Sequence, residues 1–187
     1  MKIATFLLTL LFGFVISVNA QTTIQKVDFK NFTYELSCGD ADKRSQLTVK
    51  NGEFSGNKNS FEVGDVEVYL KIYKVVYGDF DGDKKDEAVV LYACSSGASY
   101  VYFRGLFFKM KKQKPILLTE LAGGNKGDGG FHKVRFFKNQ LIAERLQLPA
   151  GGSACCPAFI ETTKYKLKDR KLVQIGKRTS RKITASD

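Results

Sequence analysis

Between Gly78 and Glu87 the chain reads Gly-Asp-Phe-Asp-Gly-Asp-Lys-Lys-Asp-Glu, an acidic, glycine-punctuated stretch in a strongly basic protein. Asp79, Asp81 and Asp83 alternate, so a backbone curling around a point can turn all three carboxylates inward. Hard cations such as calcium take six to eight oxygen ligands, which clustered carboxylates supply. The same residues would equally build a tight connection whose carboxylates face water and nearby lysines, because Asp and Gly are turn formers. Other chemistry finds fewer materials. His132 is the one histidine and no Gly-x-Ser-x-Gly motif is present, so a nucleophilic triad or a multi-histidine zinc centre lacks its parts. Glu120, Glu144 and Glu161 are available for a carboxylate pair of the glycosidase kind, but spacing alone places no two of them across a cleft. The segment Gly123–Gly130 lacks the Gly-Lys-Ser/Thr ending of a phosphate loop and reads as a mobile turn, with Asn125 and Asp128 as further oxygen donors.

The elements that must position these groups read as strands. Val66, Val68, Leu70 and Ile72 alternate with Glu67, Tyr69 and Lys71, the period of a strand with one buried face. Ala88–Tyr92 is a short apolar run directly after the acidic loop, and Tyr100–Met110 is a long aromatic run with a bend expected at Gly105. Further strands are expected at Val27–Leu36, Gln46–Lys50, Ile116–Leu121, Lys133–Phe137, Gln140–Leu148, Phe159–Leu167 and Lys171–Ile175, with tight turns at Asn51-Gly52 and Lys138-Asn139. A helical turn is expected within residues 39–45, and Lys177–Asp187 reads as a frayed, basic polar tail. No long stretch beyond the N-terminus holds helical spacing, so the fold class is mainly β: a single antiparallel sandwich or open barrel over residues 21–176, stapled by disulfides.

The staples are Cys38, Cys94, Cys155 and Cys156. Adjacent residues have Cα atoms about 3.8 Å apart, below the usual disulfide span of about 4.4 to 6.8 Å. Cys155 and Cys156 are therefore expected to pair elsewhere, which draws Cys38 and Cys94 to the corner at residues 151–157 in either of two connectivities. Disulfides in turn imply an oxidising compartment. The N-terminus agrees: Lys2 precedes an uncharged run from Ile3 to Val18, and Val18-Asn19-Ala20 supplies small residues for cleavage after Ala20. Residues 1–20 read as a signal peptide, and the product as secreted or periplasmic, with no transmembrane span once they are removed.

The 187 residues carry 30 Lys and Arg against 19 Asp and Glu, a formal charge of +11, and removal of the signal would take only Lys2. Such a balance favours anionic envelope or extracellular polymers. Nucleic acid is disfavoured, because the lysines are scattered through strands without a basic helix or arm. Asn31-Phe32-Thr33 is a glycosylation sequon where the source glycosylates exported proteins.

Gly78–Val90 resembles the aspartate-rich calcium loop of FG-GAP and VCBS repeats. The resemblance implies Asp79, Asp81, Asp83 and Glu87 as side-chain ligands and the carbonyl of Lys85 as a fifth, around Ca2+. It departs at Lys84, where the family places the glycine of a sharp turn and where a side chain must accept positive φ, and at Glu87, where aspartate is more usual. A propeller needs several blades, so the resemblance extends to the loop and not the fold. The order of features, from the leader through Asn31-Phe32-Thr33-Tyr34 and the loop to Ala-Cys-Cys-Pro, also resembles small exported bacterial proteins of uncharacterised function. The expected function is that of an exported, non-enzymatic binding or envelope-associated module with a structural calcium loop. The alternative is a hydrolase of an envelope polymer acting through two of Glu120, Glu144 and Glu161.

Overall fold

The computed structural model describes residues 23–38, 44–57, 67–96, 101–125, 129–150, 156–185 and 187. The N-terminal apolar segment, residues 39–43 and Cys155 lie outside them, and with them the expected signal peptide and most of the expected helical turn. Among the described residues a 3-10 turn at Ile24–Lys26 precedes eleven strands: β1 (Thr33–Leu36), β2 (Ser45–Thr48), β3 (Glu53–Asn57), β4 (Glu67–Gly78), β5 (Glu87–Ser96), β6 (Val101–Lys111), β7 (Lys114–Asn125), β8 (Phe131–Phe136), β9 (Leu141–Gln147), β10 (Phe159–Lys168) and β11 (Lys171–Lys182). They form a β1–β2 ribbon, a central sheet in the order β3-β4-β5-β6-β7, and an outer sheet in the order β11-β10-β9-β8. The architecture is mainly β, antiparallel and open.

The central sheet is covered on both faces. Ala88, Val90, Tyr92 and Cys94 of β5 join Leu106 and Phe108 of β6 in one cluster with Ile24 and Phe29 of the N-terminal segment and Tyr34, Leu36 and Leu47 of the β1–β2 ribbon. Val89, Leu91 and Phe107 face the other way, onto Leu121 of β7 and Val134, Leu141 and Ala143 of the outer sheet. Neighbours on a strand point to opposite faces, so burial on both sides accounts for an unbroken apolar run at Ala88–Tyr92. β4 has one buried face: Val68, Leu70 and Ile72 are buried while Tyr69, Lys71 and Tyr73 are exposed.

Arg145 ties the outer sheet to the central one. Its guanidinium lies over the rings of Phe131 and Tyr165 and donates to the carbonyl of Ala122 from Nε (3.0 Å) and Nη2 (2.8 Å). A planar cation with five donors suits a site that asks for stacking and carbonyl recognition together.

Several expectations are corrected. Cys38 bonds to Cys94, with Cα atoms 5.6 Å apart, so neither reaches the corner at residues 151–157. The cause is the apolar cluster, which seats both cysteines at 2% and 1% exposure beneath the ribbon. Cys156 is itself disulfide-bonded, and Cys155 lies outside the described residues. The supposed tail is strand from Lys177 to Lys182: β11 runs alongside β10 as far as Phe159↔Lys182, and Arg181 grips Asp187 beyond the strand end at 2.5 Å. Only Thr33–Leu36 of the stretch Val27–Leu36 is strand, and Gly123 and Gly124 belong to β7 rather than to a turn.

Candidate functional site

The acidic loop connects β4 to β5, and Gly78↔Glu87 is the pair that closes it. Phe80 anchors it. The ring is 1% exposed and packs against Phe107 and Phe136 at centroid distances of 5.2 and 5.6 Å. Its backbone N–H donates to Glu87 Oε2 at 2.8 Å. Driving Phe80 into the core puts Asp79 and Asp81 on either side of a fixed point. Asp79 then accepts the N–H groups of Gly82 (2.6 Å) and Lys84 (3.0 Å), while Asp83 accepts that of Lys85 at 2.9 Å. The turn asks for left-handed backbone at Gly82 (φ 85°) and at Lys84 (φ 65°), the position where the calcium-loop pattern has glycine.

These contacts bring together one oxygen each from Asp79, Asp81 and Glu87 within 4.8 Å of one another, a group able to hold a metal ion. Asp83, which is exposed, is not one of the three. Lys85 meets Asp83 through its backbone N–H, which donates to the carboxylate. The residue missing from the sequence reading is Lys109 on β6. Its ammonium hydrogen-bonds Asp81, reaches Asp83 Oδ2 at 2.9 Å and lies 3.4 Å from Glu87 Oε1. Strand register puts it there: Ala88 pairs with Phe108, so Glu87 and Lys109 are the next residues outward on adjoining strands. The sequence signal was a lysine closing the aromatic run, indistinguishable from the other surface lysines without the register.

Burial and charge act in opposite directions here. Burial pushes the Glu87 carboxyl above its ordinary pKa, with the N–H of Phe80 and the charge of Lys109 working against it. Burial would also lower the Lys109 pKa, but hydrogen bonds to Asp81 and Asp83 and the charge of Glu87 outweigh it and raise the value. The bond from Lys109 holds the Asp83 carboxyl below its ordinary range. Beside the cluster a cleft of about 300 Å³ opens between Thr23–Gln25 and Lys84–Asp86, bordered by Lys109 and Met110.

The carboxylates weighed for hydrolysis stand apart. Glu120 on β7 is held by Arg44 (2.5 Å) and Arg104 (3.6 Å). Glu144 on β9 faces Arg135 (3.9 Å) and His132 (4.0 Å), and Glu161 on β10 faces Arg178 (3.6 Å). Glu161 is paired with Arg145 and Glu144 with Thr162, which puts the two glutamates on opposite faces of the outer sheet.

That sheet carries a row of cations on one face. Register places Lys133 opposite Glu144 and Thr162; Arg135 opposite Ile142, Lys164 and Ile175; Lys166 opposite Val173; and Lys168 opposite Lys171. All project from the face away from Val134, Ala143 and Thr163, which are buried toward the core side. These six cations share the surface with Glu144, and register adds Arg181, which lies opposite Ile160 and is bound to Asp187. Lys164, Lys166 and Lys168 are exposed and spaced about 7 Å apart along β10.

The fold and sites together define an open, three-layered antiparallel β protein with an acidic loop and a basic sheet face. Compared with known proteins, the chain matches no family model, no curated protein and no solved structure. No helix among the described residues is long and apolar enough to cross a membrane.

Proposed function

We propose that the protein is an exported, non-enzymatic module that binds an anionic polymer of the envelope or extracellular space on the outer face of the β8–β11 sheet. One observation carries this: Lys133, Arg135, Lys164, Lys166, Lys168 and Lys171 lie on one face of the sheet. A row of ammonium groups about 7 Å apart matches a chain of repeating charges better than a small anion, which needs a closed pocket. Like charges so placed repel each other, and a polyanion relieves that repulsion. The Cys38–Cys94 disulfide is compatible with an oxidising compartment. Export rests on the leader-like N-terminal sequence, and calcium in the acidic loop rests on the Asp79–Asp81–Glu87 grouping and the resemblance of Gly78–Val90 to aspartate-rich calcium loops. In this reading the loop's cation is structural and the sheet face is the working surface.

The test is binding of dextran sulfate to the oxidised full chain and to a Lys164→Ala, Lys166→Ala, Lys168→Ala variant. Each lysine near an anionic surface contributes about 1 kcal/mol, so affinity should fall on the order of 100-fold. A variant that binds as tightly as the parent would move the binding surface elsewhere.

A further inference from the structure

We propose that Lys109 is the acidic loop's resident cation, and that a divalent ion enters the loop only by displacing it. The inference rests on the cation reading of the loop given above and adds to it a competitor within the chain. Calcium sits about 2.3 to 2.6 Å from each ligand, so opposed ligands lie about 4.6 to 5.2 Å apart. The oxygens of Asp79, Asp81 and Glu87 already lie within 4.8 Å of one another. The Lys109 ammonium bonds Asp81, stands 2.9 Å from Asp83 and 3.4 Å from Glu87, and so takes the space that an ion shared by those carboxylates would need.

A second observation points to a ligand that the ammonium does not fully replace. Glu87 is 0% exposed, and its Oε1 makes no hydrogen bond of good geometry, having only the Lys109 ammonium 3.4 Å away. Its other oxygen is fixed by the N–H of Phe80, so Glu87 cannot swing away to find one. A buried carboxylate oxygen left in this state is costly, and direct coordination to a divalent ion would satisfy it. Lys109 enters from β6, whereas the carboxylates belong to the loop and the start of β5, so it can withdraw without unmaking the turn. Its side chain borders the cleft beside Thr23–Gln25, which offers a place to withdraw into. The trade is one positive charge for two among four carboxylates. Lys109 thereby sets a threshold: the loop is held together without a metal and takes one only when the ion outcompetes a tethered ammonium.

The test uses the full chain with calcium chloride as the probe, in the parent, in Lys109→Met, in Lys109→Gln and in Lys109→Met combined with Asp81→Asn. Titration calorimetry should give at least tenfold tighter calcium binding in either single Lys109 variant than in the parent, and none in the double variant. Each single variant should melt lower than the parent without calcium and recover with it. In the parent, calcium should shift the 15N resonance of the Lys109 ammonium, a readout needing no substitution. Equal affinities in parent and single variants, with that resonance unmoved, would overturn the competition while leaving the loop as a cation site. No binding by any of them at about 10 mM, above the roughly millimolar constants of weak extracellular sites, would overturn both.

Discussion

Replacing Cys38 and Cys94 together by alanine tests what holds the N-terminal ribbon on the central sheet. Cys38 follows β1 and Cys94 lies on β5, at a sequence separation of 56 and with 5.6 Å between Cα atoms. In the chain-entropy model, opening a loop of that length releases about 14 cal/mol/K to the unfolded state, or about 4 kcal/mol at 25 °C. For a chain of this size each kcal/mol moves the melting temperature by about 2 to 4 °C, so the variant should melt about 8 to 16 °C below the parent. Melting is followed by circular dichroism without reductant, which leaves the bond at Cys156 in place. The loss should be local first. β1 and β2 have four residues each, so hydrogen exchange at Tyr34, Leu36 and Leu47 should quicken before exchange at Val89 to Leu91. A fall of less than about 3 °C, with ribbon exchange unchanged, would refute the reasoning. It would show that the cluster around Phe29, Tyr34 and Phe108 holds the ribbon unaided.

Two further substitutions or conditions separate charge from hydrogen bonding. Glu87→Ala orphans the buried N–H of Phe80 and should cost about 1 to 3 kcal/mol in denaturant melts, whereas Glu87→Gln keeps an acceptor there and should cost clearly less; equal costs would mean that the bond to Phe80 contributes nothing. The guanidinium of Arg181, then the N–H of Thr184, hold the Asp187 carboxyl well below the ordinary carboxylate range. A lowered pKa in the fold gives stability that is complete above the ordinary value of 3.8 and is lost as pH falls through the lower folded value. Amide exchange at Thr184 should therefore be flat from neutral pH to about 4 after correction for intrinsic rates, and protection should disappear below that; loss of protection already near pH 6 would contradict the assignment.

Much of the strand architecture was legible because burial has a period. β4 shows the alternation Val68, Leu70, Ile72 that one covered face imposes, and the hairpin at Lys138-Asn139 uses a residue tolerant of positive φ. Two other hairpins turn through Lys112-Gln113 and Asp169-Arg170, also at positive φ; three of those four residues carry no turn signature, so register rather than local preference sets their conformation. β11 was read short because an exposed edge strand needs no apolar alternation: from Gly176 to Lys182 every residue is exposed, and backbone pairing with β10 alone defines the strand. The cysteine pairing was misread because the adjacent-residue argument removed the one arrangement that leaves Cys38 for Cys94. At the acidic loop, Asp79, Asp81 and Glu87 were visible as a local pattern. Phe80 as anchor and Lys109 as partner were not, since the first depends on rings brought in by β6 and β8 and the second on a neighbour across the sheet.

The assignment of the β8–β11 face as a polyanion surface is tested most directly by mapping where a polyanion lands. Backbone amide shifts of the oxidised full chain, recorded while a short sulfated oligosaccharide is titrated in at low salt, should move at Lys133, Arg135 and Lys164–Lys171. They should return toward their free positions as salt is raised, because screening weakens exposed charge contacts. Shifts confined to the ribbon or the cleft by Thr23–Gln25, or none at all, would contradict the proposal.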